Sequence, residues 1–207
     1  MDLKTTIDSI SYLFGSSIGT EWKQRMTTLP GGNGNIEALK AGFINAIKGD
    51  TSLLGMTPEQ ANELVNGHFT RVQMEEAESE NARGEAFLAQ NKTKEGVITT
   101  ESGLQYKVIK EGDGPKPTVE DQVKVHYTGK FIDGTVFESS VQRGEPVTFG
   151  VTQVIRGWTE GLQIMPAGSK YIFWIPSDLA YGQQGNQGIK PNTTLEFEIE
   201  LLEVIKN

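Results

Sequence analysis

A tryptophan between two glycines is the feature of this sequence that most clearly indicates a binding site. Trp158 follows an apolar Val-Ile pair within Val154–Leu162 and lies between Gly157 and Gly161. Glycine has no Cβ, so other backbone or a ligand can approach it closely. The pattern predicts a short helix that presents the indole ring to a cavity.

Further aromatic residues are expected to face the same interior, and they come from separate segments of the chain: Tyr127, Phe137, Phe149, Tyr181 and Phe197. For Phe149, which alternates within a strand pattern, a core role and a pocket role are equally open. Trp158 and Tyr181 lie next to glycines between predicted strands, which favours a pocket. Both side chains also have a polar end that needs a partner when buried.

Polar residues do not form a recognisable catalytic pattern. His68 and His126 belong to different segments, neither has metal-ligand spacing, and His126 is expected on a solvated strand face. Glu196, Glu198 and Glu200 alternate along one strand, which predicts a solvated face rather than a cluster of acids. Gly182, Gly185 and Gly188 lack the following Lys-Ser/Thr of a phosphate-binding loop. Cysteine is absent, which excludes disulfides, thiolate metal sites and a cysteine nucleophile.

The second half of the chain predicts an antiparallel sheet. From Gly96 onward apolar residues alternate with polar ones, as in the final run from Leu195 to Leu201. Asp133-Gly134 indicates a hairpin turn. Together with the short helix around Trp158, these strands predict an α+β fold in which a sheet wraps around one helix.

The first half predicts three helices. Apolar residues recur at three- and four-residue steps over Ile7–Met26 and again after Asn35, a plausible N-cap. Thr57-Pro58-Glu59-Gln60 has the pattern of a capping box, and no strong breaker follows until about Gly96, so we expect a helix of roughly 50 Å. Its middle, Gln73–Glu85, is polar nearly all round and is expected to be a solvated bridge.

We therefore divide the chain into a helical region at residues 1–56, a connecting helix at 57–96 and a sheet domain at 97–207. The helical region has too few apolar residues to fold alone as a monomer, so two copies are expected to interleave their apolar faces. A helical cap on a monomer is the alternative.

Composition narrows the choice of partners. The 207 residues have a net charge of −8 and no cluster of basic side chains, which argues against nucleic acid and anionic membrane surfaces. No apolar run approaches the roughly 20 residues of a membrane span. The first residues contain no hydrophobic segment of a signal peptide.

Several motifs resemble the FKBP-type peptidyl-prolyl cis–trans isomerases. The resemblance is collinear from about Ser102 onward, and its motifs are VHYTG at 125–129, DGTVFESS at 133–140, VIRGWTEG at 154–161, IPSDLAYG at 175–182 and TLEFEIELL at 194–202. The helical part more loosely resembles the dimerisation region of the bacterial subgroup that includes the macrophage infectivity potentiators.

This resemblance implies an isomerase of X–Pro bonds that works in protein folding as a dimeric folding catalyst or chaperone. It implies no cofactor and no metal, proline-containing polypeptides as substrates and macrolides as inhibitors. A dimeric chaperone or binding module of low turnover is the alternative. The subgroup is often envelope-located, so we expect the periplasm or cell envelope if a signal was removed, and otherwise the cytoplasm.

The resemblance also implies roles for individual residues. Trp158 would lie beneath the substrate proline, and the Ile155 N–H and the Tyr181 hydroxyl would bind substrate carbonyls. Glu138 stands where the family usually has Asp, and Lys190 stands where an apolar residue or Pro is common. The remaining wall and substrate-binding residues are Tyr127, Phe137, Val147, Phe149, Val154, Ile189 and Phe197.

Overall fold

The computed structural model describes residues 4–50 and 52–206 and divides the chain into two compact units, Met1–Met74 and Glu75–Asn207. The division falls within the third helix, which contributes residues to both units. The predicted domain boundaries, 56/57 and 96/97, lie on either side of that helix and stay predictions.

The three predicted helices are present: α1 (Thr6–Met26), α2 (Ile36–Ile47) and α3 (Pro58–Asn91). Each begins at a residue whose side chain binds free backbone N–H groups. Thr5 and Asp8 form a capping box on α1, and the Asn35 carboxamide accepts from the N–H groups of the first turn of α2. On α3, Thr57 and Gln60 bind each other's backbone N–H reciprocally. The local start signals therefore predicted these helices correctly.

The first two helices leave their apolar side chains in contact with solvent. Neither α1 nor α2 contains a buried residue. The exposed residues include Ile7, Leu13, Phe14, Phe43 and Ile47, of which Ile47 is 72% exposed. Apolar area of this extent on neighbouring helix faces is typical of an interaction surface.

The second unit is built on a seven-stranded antiparallel sheet, as predicted. In sheet order the strands run β1, β2, β6, β7, β3 and β4, and β5 pairs with β3. The strands are β1 (Val97–Thr99), β2 (Gln105–Lys110), β3 (Gln122–Phe131), β4 (Val136–Ser139), β5 (Val147–Gly150), β6 (Lys170–Ile175) and β7 (Leu195–Ile205). Two short helices complete the unit, α4 (Ser140–Arg143) and α5 (Arg156–Ile164).

Helix α5 lies against one face of this sheet and closes the core. A Cβ on Gly161 would lie 2.6 Å from the Phe173 ring, and one on Gly157 would lie 2.5 Å from the Ile175 side chain. The two glycines around Trp158 therefore serve close packing of α5 on β6. They bring the helix onto the sheet, which fixes the depth at which the indole sits.

The second half of α3 is not solvated on every side, which corrects that part of the expectation for Gln73–Glu85. One side is buried or half-buried at every third or fourth residue: Ala77, Glu80, Asn81, Gly84, Phe87, Leu88 and Asn91. The Gln105 carboxamide donates to the Leu88 carbonyl (2.9 Å) and accepts from the Asn91 side chain (3.0 Å). A stripe of small and polar residues has little hydrophobic signal, which is why the periodicity was hidden in the sequence.

The glutamates of β7 are also less solvated than their alternation predicts. Glu196 and Glu198 are half-buried, and each pairs with a lysine on the neighbouring strand, Lys130 (3.4 Å) and Lys170 respectively. Glu196 also accepts from the Trp174 indole N–H at 2.8 Å. These carboxylates therefore link strands of the sheet.

A buried carboxylate links the start of β3 to the end of β7. Asp121 accepts from the Thr118 N–H (2.7 Å), the Thr118 hydroxyl (2.8 Å) and Lys206 Nζ (2.6 Å). Hydrogen bonding to Lys206, followed by that to Thr118, lowers the pKa of Asp121 from 3.8 to about 2.

Replacing Asp121 with asparagine is expected to reduce stability at pH 7 and to have no effect near pH 2. Because the pKa is lower in the folded state, the carboxylate stabilises the fold above its unfolded pKa of about 4 and loses this contribution as the pH falls to about 2. Urea unfolding of both proteins between pH 2 and 7 measures the difference. A difference that does not change with pH would contradict this assignment.

Candidate active site

Most of the predicted site residues meet in one open pocket of about 400 Å³. The predicted residues that line it are Tyr127, Phe137, Glu138, Phe149, Val154, Ile155, Trp158, Tyr181 and Phe197. Val147 and Ile189 are not among the lining residues. Val147 lies half-buried on β5 opposite Val125, and Ile189 is packed into the core with 8% of its surface exposed.

Trp158 forms the floor of the pocket through three aromatic contacts. Its ring centroid lies 5.1 Å from that of Tyr127 and 5.3 Å from that of Phe197, and both pairs are nearly perpendicular. Phe149 lies 5.4 Å away at 59°. Edge-to-face contacts place the positive rim of one ring against the negative face of the next, which holds the rings in defined orientations. The pocket is therefore a rigid apolar surface.

The first turn of α5 sets the position of the indole. Ile155 caps the helix without a side-chain bond, and its carbonyl accepts from the N–H groups of Trp158 (2.9 Å) and Thr159 (3.1 Å). Trp158 is 5% exposed, and its Nε1 has no hydrogen-bond partner among the described residues. Packing, rather than a polar bond, therefore orients the ring.

Two hydrogen-bond donors belong to residues that line the pocket. Within residues 4–50 and 52–206, neither the Ile155 N–H nor the Tyr181 hydroxyl has a hydrogen-bond partner. The family resemblance implies that these two groups donate to substrate carbonyls, and this role stays a prediction.

Glu138, which lines the pocket, belongs to a charged pair. Arg143 Nη1 lies 3.1 Å from Glu138 Oε1, and the guanidinium lies 6.0 Å from the Tyr127 ring centroid. Burial raises the pKa of Tyr127, which keeps its hydroxyl protonated at neutral pH. Interaction with the Tyr127 side chain, and then with Glu138, raises the pKa of Arg143.

Two residues at the site were missed in the sequence. Arg143 pairs with the lining residue Glu138, and α4 ends directly after it at Gly144, whose φ is +79°. Gln153 lines the pocket and accepts from the Gly150 N–H at 3.0 Å. The glycine after Arg143 was a readable turn signal, whereas nothing local marks Gln153.

Comparison with protein families identifies the chain. The family model for FKBP-type peptidyl-prolyl cis–trans isomerase matches residues 114–202, and that for the domain amino-terminal to this isomerase matches residues 7–108. The outer membrane protein MIP of Legionella longbeachae is 42% identical over 99% of this chain and 88% of its own. The chain belongs to the FKBP-type peptidyl-prolyl cis–trans isomerase family.

Two further relatives agree with the bacterial subgroup that the sequence predicted. The FKBP-type isomerase FkpA of Aeromonas hydrophila is 49% identical over 77% of this chain, a match that spans 64% of that longer protein. The crystal structure of FkpA from Escherichia coli is 32% identical and superposes with a TM-score of 0.81, covering 99% of both chains. The predicted family, the α+β fold with its helical N-terminal region and the isomerase class are thereby confirmed.

In this FKBP-type site, the substitution of Glu for the usual Asp is accommodated on the rim. Glu138 is half exposed and is directed toward Arg143, so its extra methylene lengthens a surface pair.

His126, predicted to be solvated, is half-buried, and its Nδ1 lies 3.1 Å from the Ser140 hydroxyl. That hydroxyl also accepts from the Tyr127 N–H at 2.8 Å, which fixes β3 behind the Tyr127 ring.

Within residues 4–50 and 52–206, His, Asp and Glu side chains do not gather in threes at positions suited to a metal ion. None of the helices within the same residues combines the length and apolar character that crossing a membrane requires.

Proposed function

We propose that the pocket above Trp158 accelerates cis–trans rotation of X–Pro bonds in polypeptide substrates. One observation carries the proposal: an aromatic floor of fixed orientation stands beside two unpaired hydrogen-bond donors. A proline ring is apolar and compact enough for such a floor, and the carbonyls beside it need donors. Macrolide inhibitors are expected to bind in the same pocket.

The chemistry requires no nucleophile, metal or cofactor. Rotation about the amide faces a barrier of about 18–20 kcal/mol because the C–N bond has partial double-bond character. The twisted amide loses resonance and with it charge separation, so an apolar pocket disfavours it less than the planar ground state. Binding energy that is stronger in the twisted state lowers the barrier. The apolar walls, Tyr127, Phe137 and Phe197, supply this environment.

The polar groups would hold the chain on either side of the rotating bond. In the proposed arrangement the Ile155 N–H and the Tyr181 hydroxyl each donate to a substrate carbonyl. Tyr127, protonated at neutral pH, and the Glu138–Arg143 pair lie on the rim near the rotating carbonyl. Val147, Phe149, Val154 and Ile189 would support the walls. No proton is transferred in any step.

An isomerisation assay on a short proline peptide tests this function. We expect catalysis by the full chain and a several-fold lower kcat/KM for Tyr181→Phe, since one donor is removed and a typical hydrogen bond contributes about 0.5–1.5 kcal/mol. Tyr106→Phe is the matched control, because Tyr106 packs on Tyr171 outside the pocket. A wild-type chain without catalysis would refute the proposal.

The alternative is a clamp of the same fold that binds unfolded chains with little turnover. Both proposals require binding of proline peptides, but only the enzyme accelerates their isomerisation. A chain that suppresses aggregation of an unfolded protein, yet leaves the isomerisation rate unchanged, would favour the clamp. The complete aromatic floor supports the enzyme.

We further propose that the chain works as a homodimer through its N-terminal helices. The support is the exposed apolar surface of α1 and α2, where Phe14 and Ile47 are 67% and 72% exposed. Light scattering is expected to give a mass near twice 22.7 kDa. Phe14→Glu is expected to shift this mass toward the monomer, because a buried unpaired charge opposes association. A monomeric wild-type chain would contradict the dimer.

The periplasm or cell envelope is the location that we propose for this activity. The support is one relative, an outer membrane protein of Legionella longbeachae. Fractionation of cells that produce the natural gene product tests it, and recovery in the cytoplasm would reject it.

A further inference from the structure

The loop between β6 and β7 connects the pocket to the last turns of α3. It runs from Pro176 to Thr194 and includes Tyr181, which lines the pocket. Its middle is closed by two backbone hydrogen bonds between Asn186 and Ile189, of 2.9 and 2.8 Å. The loop is therefore held together by its own backbone.

Asn192 is the residue through which this loop is bound on both sides. Its backbone N–H donates to the carbonyl of Gly182, the residue after Tyr181, at 2.9 Å. Its side-chain Nδ2 donates to the Ala77 carbonyl on α3 at 3.1 Å. Its φ of +59° lies in the left-handed region, which asparagine tolerates better than most residues.

Two other contacts bring the same helix onto the loop. A Cβ on Gly84 would clash with the side chain of Thr194, so only glycine lets α3 approach this closely. Lys190 Nζ lies 3.7 Å from Glu76 Oε2, although both side chains are exposed and such a pair contributes little. A cavity of about 230 Å³, lined in part by Arg83 and Gly188, separates helix and loop elsewhere. Asn192 thus makes the hydrogen bond that joins the loop to α3.

We propose that Asn192 is a positioning residue for the isomerase site and that α3 is the support to which it binds. Asn192 does not line the pocket, and Ala77 lies outside the stretch that matches the isomerase family model, residues 114–202. The hydrogen bond to Ala77 holds Gly182, and through it the Tyr181 hydroxyl, at the height of the pocket rim. This inference rests on the proposed function of Tyr181.

Asn192→Asp in the full chain tests the proposal. The change keeps the shape and the tolerance for positive φ but replaces the donor with a carboxylate facing the Ala77 carbonyl. We expect kcat/KM on a short proline peptide to fall about three- to tenfold, in line with the loss of one hydrogen bond. Gln187→Glu makes the same amide-to-carboxylate change at an exposed position of the same loop, and we expect less than a twofold effect.

A double-mutant cycle separates positioning from a general loss of stability. If Asn192 acts through the Tyr181 hydroxyl, Asn192→Asp lowers kcat/KM by less than twofold once Tyr181→Phe is present. Equal effects in both backgrounds, or an effect below twofold in the wild type, overturn the proposal. Asn192→Gly, which keeps positive φ without a side chain, repeats the cycle if the aspartate variant fails to fold. Absence of catalysis by the wild type would instead refute the proposed function itself.

Discussion

Replacing Trp158 with leucine is expected to lower kcat/KM for proline peptides at least tenfold, which corresponds to about 1.4 kcal/mol or more of transition-state stabilisation. Leucine removes the flat surface under the proline ring and the contacts with Tyr127, Phe149 and Phe197. The indole Nε1 has no partner among the described residues, so the change breaks no hydrogen bond there. The measured loss therefore reports the apolar floor.

Leucine is preferred to alanine because truncating a buried tryptophan to alanine costs about 3–5 kcal/mol of stability. Thermal unfolding of the leucine variant is measured beside its kinetics to show that it remains folded. Trp22→Leu is the control, since Trp22 is a half-exposed residue of α1, and it should keep full activity on short peptides. A folded Trp158→Leu protein with wild-type kcat/KM would exclude Trp158 as the floor.

Replacing Gly161 with alanine is expected to destabilise the second unit by about 1–3 kcal/mol and to lower its Tm by about 5–10 °C. The new Cβ would lie 2.6 Å from the Phe173 ring, which is 1% exposed and has no space to retreat. Elsewhere in a helix the same change stabilises by up to about 1 kcal/mol. The sign of the effect therefore depends on the contact between α5 and β6.

Gly67→Ala provides the matched control, because a Cβ on this glycine of α3 would meet nothing within 4 Å. We expect an unchanged or higher Tm for this variant. Calorimetry of both proteins measures the contrast. A Gly161→Ala protein as stable as the wild type would mean that α5 does not pack on Phe173 at the observed distance.

Trp158 and Gly161 lie about one helical turn apart on the buried side of α5. Trp158 contacts the aromatic walls, and Gly161 and Gly157 contact β6. Pushing the helix away from the sheet would therefore also displace the indole. The kcat/KM of Gly161→Ala, measured at a temperature where the variant stays folded, therefore shows how much displacement of the Trp158 indole the site tolerates.

The sequence by itself determined the elements, the family and most of the pocket residues. The helix-start signals at Thr57 and Asn35 involve only three or four neighbouring residues, and so does the alternation along β7. Each of them can therefore be recognised in the sequence alone. The aromatic residues around Trp158 were identified because their motifs occur together in one family. Each of these signals is contained in a continuous stretch of chain.

Only the tertiary structure decided which distant residues approach one another. The buried side of α3 contains Gly84 and Asn91. In the sequence, a glycine suggests a helix break and an asparagine suggests a solvated position. Their burial follows only from the contacts with Thr194 and Gln105. Gln153 joins the pocket lining, Arg143 pairs with the lining residue Glu138, and Val147 and Ile189 fall outside the lining. Close packing between residues far apart in sequence depends on shape, and shape exists only once the chain has folded.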